Sequence, residues 1–170
     1  MQTTALFRAA RGLQAAGCAV LRFNFRGVGK SEGTIEASER EVEDLRAAVD
    51  ELTRRFPGLP LWAGGFSFGA RTSAALAIEP YGIERVIFVG MPVDAFDCSA
   101  LARVKLPGYV LQAGEDEYGN LASLKKRFPE LPATLELDEI EATDHFFRGK
   151  TRELEQRVRD YALRHIPELA

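Results

Sequence analysis

The chain has 170 residues, 46% of them hydrophobic, and carries 22 basic against 25 acidic side chains for a net charge of -3. That suits one domain over residues 1–170 and excludes the clustered basic surface that nucleic acid requires. No apolar run approaches the roughly 18 residues of a bilayer span, and Met1-Gln2-Thr3-Thr4 does not open a signal peptide.

Ala5 to Ala16 reads as a helix ended by Gly17, and Ala19 to Phe25 as a strand. Glu39 to Phe56 shows helical spacing through Val42, Leu45, Val49 and Leu52 and is stopped by Pro57-Gly58. Leu61 to Gly65 is predicted as a strand and Phe68 to Ile78 as the helix after it. Val86 to Val89 and Tyr109 to Gln112 are short apolar strands, separated by an irregular stretch from Gly90 to Leu106. Leu121 to Phe128 is a helix. Thr134 to Ile140 alternates like an edge strand, and Thr151 to Arg164 is the last helix. Strands separated by helices predict an α/β fold: a mostly parallel central sheet with helices on both faces. Cys18, in an apolar strand, and Cys98, in a polar loop, read as free thiols of a reducing cytosol, so a cytoplasmic protein is expected.

Gly65-Phe66-Ser67-Phe68-Gly69 lies between a predicted strand and a predicted helix. Gly-x-Ser-x-Gly in that context is the nucleophile elbow. The turn is so tight that the neighbours of the serine on both sides must be nearly side-chain-free. It leaves the Ser67 oxygen exposed above the sheet edge. A serine hydroxyl needs an adjacent base, and the base an orienting carboxylate. Only two histidines are present. His165 reads as a solvated helix-end cation. His145, in a loop between the last strand and the last helix, is at the sheet edge where α/β active sites collect. Its bland alternative is a loop residue packed beside Phe146 and Phe147.

The carboxylate is expected between serine and histidine, after a strand. Ala113-Gly114-Glu115-Asp116-Glu117 supplies three acids. Asp116 is preferred for its short side chain, with Glu115 and Glu117 as neighbours or alternates and Asp94 as second choice. Asp144 reads as a turn residue. Phe68 N–H, at the start of the elbow helix, is one oxyanion donor. Phe66, Phe68, Phe146 and Phe147 line an acyl pocket or pack in the core.

Two rival motifs fail on spacing. Gly27-Val28-Gly29-Lys30-Ser31 resembles the end of a phosphate loop, but position 24 is Asn and not Gly. Gly27, Gly29 and Gly33 are one residue too wide for a dinucleotide fingerprint. Histidines and cysteines without ligand spacing predict no metal, and no cofactor is expected.

The chain resembles the α/β-hydrolase superfamily, most of all its small capless bacterial members of the dienelactone-hydrolase type. The resemblance rests on four strings in order. They are Phe23 to Gly33, Ala63 to Ala70, Gln112 to Glu117, and Asp144-His145-Phe146-Phe147-Arg148-Gly149-Lys150. It implies a triad of Ser67 as nucleophile, Asp116 as acid and His145 as base, with Phe68 N–H as half of the oxyanion hole. It places Arg26 near the rim as a candidate substrate contact or a structural turn residue. Where the family carries Gly-Asp-x-Asp, this chain has Ala113-Gly114-Glu115-Asp116. The resemblance also implies strands and a His-Pro/Gly-type loop before the helix of Met1 to Ala16, so an N-terminally truncated version of the fold is expected. The function implied is hydrolysis of a small carboxylic ester through an acyl-enzyme. The alternative is a catalytically silent domain of the same fold, or a fragment of one, with an incomplete oxyanion hole.

Overall fold

The computed structural model describes residues 3–36 and 40–166. The expected helix start at Glu39 and the N-terminal Met1 lie outside those residues. Five helices and four strands follow in the order α1 (Thr4–Ala15), α2 (Arg40–Arg55), β1 (Trp62–Phe66), α3 (Phe68–Ala77), β2 (Arg85–Val89), β3 (Gly108–Ala113), α4 (Leu121–Arg127), β4 (Leu135–Ile140) and α5 (Thr151–His165). The strands form one parallel sheet in the order β1-β2-β3-β4.

Period-two alternation splits the core between the two sheet faces. Val86, Phe88 and Val110 face one side with Val42, Leu45 and Val49 of α2 and Ala70, Ala74 and Leu76 of α3. Ile87, Val89, Tyr109 and Leu111 face the other, against Ala5 and Ala9 of α1 and Leu154, Val158 and Tyr161 of α5. Helices therefore cover both faces, as the sequence predicts.

Helix ends follow capping chemistry. Thr3 accepts from Leu6 N–H at α1, and Asn120 Oδ1 accepts from Ser123 N–H at α4. Glu41 and Glu43 open α2 while Arg54 and Arg55 close it, matching the helix dipole. Ser67 stands at the N-cap of α3 yet makes no side-chain cap. Its hydroxyl is engaged elsewhere.

Three expectations are corrected. Ala19 to Phe25 is not a strand, because it shares no ladder with the sheet. Cys18 therefore lies outside the sheet, half-buried, while Cys98 is buried and burial pushes its thiol pKa up to about 11. Within the irregular 90–106 stretch, Ser99–Arg103 forms a 3₁₀ turn. β1 pairs only with β2, so its other edge is open among the described residues. Beside that edge lies a groove of about 260 Å³, lined by Leu13, Leu21, Phe56, Leu59, Leu61 and Gly64 among others.

Gly27, Gly29 and Gly33 each adopt positive φ in the turn after Phe25. No helix starts at Lys30, so the geometry of a phosphate loop is absent from this turn. A Cβ on Gly27 would meet Ile35 N at 2.7 Å, which explains the glycine.

Candidate active site

Ser67 connects β1 to α3 with φ 54° and ψ -118°, a strained region for a residue with a side chain. Surrounding bonds hold it there. Its N–H donates to Val89 O at 2.9 Å, and its carbonyl accepts from Ala70 N–H and Arg71 N–H. A Cβ on Gly65 would lie 2.3 Å from Gly69 C and 2.5 Å from Gly69 O. Gly65 is thus required for the helix to start this close to the strand. Gly69 is not constrained in the same way, because a Cβ there would meet only Phe25 Cε2 at 3.9 Å.

Ser67 Oγ lies 2.8 Å from His145 Nε2. His145 Nδ1 lies 2.9 Å and 2.8 Å from the two carboxylate oxygens of Asp116. A nitrogen facing a carboxylate carries the proton, so Nε2 keeps its lone pair and accepts from the Ser67 hydroxyl. His145 is 2% exposed and Asp116 7%. Little water competes for this relay.

Each partner arrives from a different strand end. Asp116 sits in the loop after β3. Its Oδ1 also accepts from Tyr118 N–H at 2.8 Å, and Gly114 N–H continues the β3–β4 ladder to Ile140 O. Glu115 N–H donates to Thr143 O at 3.0 Å, tying the acid loop to the histidine loop. In that second loop Ala142 and Phe147 take positive φ. Asp144 Oδ1 accepts from Phe146 N–H and Arg148 N–H, both at 3.1 Å. Burial tends to raise the Asp144 pKa, but these bonds and the Arg148 charge outweigh it and hold the carboxyl below its usual range. Asp144 is thus the turn residue that the sequence suggests.

Aromatic rings border the relay. His145 packs 4.8 Å from Phe66, 4.8 Å from Tyr118 and 5.3 Å from Phe146, ring centre to ring centre. Phe146 is exposed at the rim beneath Arg148, and Phe66 is buried behind the imidazole. Phe68 packs edge-on against Phe25 and Phe96. Its N–H is a first-turn donor of α3 that no intrahelical carbonyl can take. Phe147 is wholly buried in the α1/α5 core, so it lines no pocket.

The remaining candidates are occupied elsewhere. Arg26 binds Asp44 through its backbone N–H at 2.8 Å and through its guanidinium at 2.6 to 3.1 Å, which fixes the 26–33 turn to α2. Asp94 pairs with Arg127. Glu117 accepts weakly from His145 N–H at 3.4 Å, and Asp116, not Glu117, faces the ring. His165 is not a freely solvated cation. It packs on Tyr161, and burial, then the charges of Arg85 and Arg164, lower its pKa and favour the neutral ring. A separate cleft of about 610 Å³ between Ile78, Arg103 to Lys105 and Pro132 opens at the other end of the sheet and holds none of these groups.

Sequence reasoning did not single out Gly90. It has φ +58°, and a Cβ there would press on Phe66 Cε2 at 3.1 Å and His145 Cε1 at 3.4 Å. A glycine directly after the Val86 to Val89 run was its only signal.

A parallel sheet that presents a serine, an acid and a histidine at one end, the serine on a strand–turn–helix elbow, defines an α/β hydrolase. The chain belongs to the alpha/beta hydrolase domain family, which it matches over residues 1–166. It is 33% identical to an uncharacterized protein of Rickettsia prowazekii, across 96% of this chain and 72% of that one. Among solved structures it resembles an α/β serine hydrolase without lid from Xanthomonas campestris, with TM-score 0.89 and 30% identity over 100% of this chain and 77% of the other. An α/β serine hydrolase homologue from Coxiella burnetii is similar at TM-score 0.87 and 30% identity, over 95% and 77% of the two chains. Among the described residues no helix is long and apolar enough to cross a membrane.

Proposed function

We propose that the chain is a serine hydrolase that cleaves small carboxylic esters through an acyl-enzyme, with Ser67, His145 and Asp116 as its triad. The observation that carries this reading is the unbroken relay from Asp116 through His145 to Ser67, with both links at 2.8 Å. His145 Nε2 takes the hydroxyl proton as Ser67 Oγ attacks the ester carbonyl. Asp116 stabilises the imidazolium that forms and fixes its tautomer. Phe68 N–H, at the positive end of α3, donates to the oxygen that gains charge. The tetrahedral carbon then expels the alcohol, which leaves with the proton from His145. Water, deprotonated by the same imidazole, frees the acid and restores Ser67.

Phe146, Phe66 and Phe68 are proposed as apolar contacts for the substrate. Arg26 acts through the turn it holds with Asp44. Two unpaired thiols suit a reducing, cytosolic setting.

A fluorophosphonate probe and short p-nitrophenyl esters test the reading. Wild-type protein should label at Ser67 and hydrolyse the esters. Ser67→Ala should lose labelling entirely and turnover by a factor on the order of 10⁶. Failure of folded wild-type protein to label, beside a labelled α/β serine hydrolase control, would favour the catalytically silent alternative.

A further inference from the structure

We infer that Gln112 is a positioning residue that fixes the Asp116 loop and the Gly90 wall against His145; this rests on the triad proposed above. Gln112 is the one polar side chain of β3 apart from the Tyr109 hydroxyl, and it is wholly buried. Its amide reaches two loops at once. Oε1 accepts from Met91 N–H at 2.7 Å. Nε2 donates to Met91 O at 3.0 Å and to Gly119 O at 2.5 Å. The opposite amide orientation would set NH₂ against Met91 N–H and an oxygen against two carbonyls, so the network allows only one orientation.

Both anchored points bear on the relay. Gly119 closes the acid loop, and its N–H donates to Asp116 O at 3.2 Å. It is pressed against the segment after β2, where a Cβ would meet Val93 Cγ2 at 2.5 Å. Met91 follows Gly90, which lies against the edge of the His145 ring. The near end of the acid loop is held by the sheet ladder at Gly114 and by Glu115 to Thr143. Gln112 helps to hold the far end through Gly119 O. Asp94 N–H, which donates to Tyr118 O at 2.9 Å, and Asn120 Nδ2, which donates to Gly114 O at 3.2 Å, support the same loop, and Gln112 is the buried side chain that joins it to Met91 beside the surface on which the imidazole rests. No apolar residue can replace it without leaving Met91 N–H and Gly119 O short of the partner described here, in a buried place where unpaired groups are costly.

A double-mutant cycle tests the inference. Gln112→Met keeps the bulk and removes the amide, and Gln112→Glu keeps only the acceptor for Met91 N–H. Each is made in the wild-type and the Asp116→Asn background. Ester kcat and KM, the rate of fluorophosphonate labelling and Tm are measured for each, with active sites counted by labelling stoichiometry. Val104→Ala, a core truncation far from the site, controls for lost stability. In the wild-type background Gln112→Met should lower kcat per active site about 10-fold or more with KM little changed, and Gln112→Glu, which sets a carboxylate oxygen against the Met91 and Gly119 carbonyls, should lose at least as much. In the Asp116→Asn background the same substitutions should add less than about 2-fold, because the acid they orient is already lost. Equal losses in both backgrounds, or a drop in Tm with kcat unchanged as in Val104→Ala, would overturn the positioning role while leaving the triad intact. A folded wild-type protein that neither labels nor hydrolyses overturns the triad, and this inference with it.

Discussion

At the elbow, two glycines that look equivalent in the motif have different physical duties. A Cβ on Gly65 would fall inside the backbone of Gly69, whereas one on Gly69 meets only an aromatic edge at van der Waals distance. Gly65→Ala should therefore destabilise the protein by about 1–3 kcal/mol, as overpacking does, and displace Ser67. Gly69→Ala should be tolerated or gain a few tenths of a kcal/mol, up to about 1 kcal/mol, from helix propensity. Thermal melts with ester assays separate the two. Asp116→Asn should leave the fold in place and cut kcat by a factor on the order of 10⁴, because an amide no longer holds the Nδ1–H tautomer. A loss no greater than that of an exposed acid such as Glu115 would contradict the role given to Asp116. The three side chains of the relay were legible because chain order and loop position single them out. Gly90 and Gln112 were not. What matters there is a ring edge packed on a backbone and an amide spanning two loops, and neither leaves a spacing to count.

At the scale of elements, helix positions were legible from apolar periodicity, and ends from Gly17 or Pro57-Gly58. Ala19 to Phe25 is not a strand because an apolar run reports only which residues avoid water, while a strand also needs a neighbour to bond. The Ser99–Arg103 turn was invisible because five residues are too few to show a period. Close approach between elements is likewise unreadable before folding. A Cβ on Gly12 of α1 would sit 2.5 Å from Glu155 O and 3.1 Å from Arg159 N of α5. Both are backbone atoms that cannot swing aside. Gly12→Ala should lower stability by about 1–2 kcal/mol even though alanine is the better helix former, measured by urea unfolding. The Arg26–Asp44 pair that ties the glycine turn to α2 gives a pH signature. Hydrogen bonds from the Arg26 guanidinium, against an opposing cost of burial, lower the Asp44 pKa in the folded state. A depressed carboxyl stabilises the fold above its unfolded value of about 3.9, and the gain disappears as pH falls through the folded value. Asp44→Asn should thus be less stable than wild type at neutral pH, and the gap should close in acid. A gap independent of pH would show that the ion pair contributes nothing.

At the scale of the whole molecule, β1 and β4 are the two edges of the sheet among the described residues, and the β1 edge is the one that borders an apolar groove. Two cores close its faces, but the β1 edge meets a groove and not a strand. Three lining side chains are among the most exposed large hydrophobics of the chain: Leu21 at 39%, Phe56 at 41% and Leu59 at 49%. Contiguous apolar surface beside an open sheet edge attracts apolar ligands and other chains. The groove should therefore bind 1-anilinonaphthalene-8-sulfonate in the native state, with a blue-shifted emission that vanishes on unfolding in urea. Phe56→Ser with Leu59→Ser should remove most of that signal. Neither residue touches the relay, so fluorophosphonate labelling of Ser67 should persist in the double variant. Gly64 and Gly65 line the same groove, three and two residues before Ser67. Filling it should therefore be felt at the elbow, and saturating dye should alter the labelling rate of wild-type protein but not that of the double variant. Equal dye fluorescence from both proteins would show that the exposed apolar surface lies elsewhere.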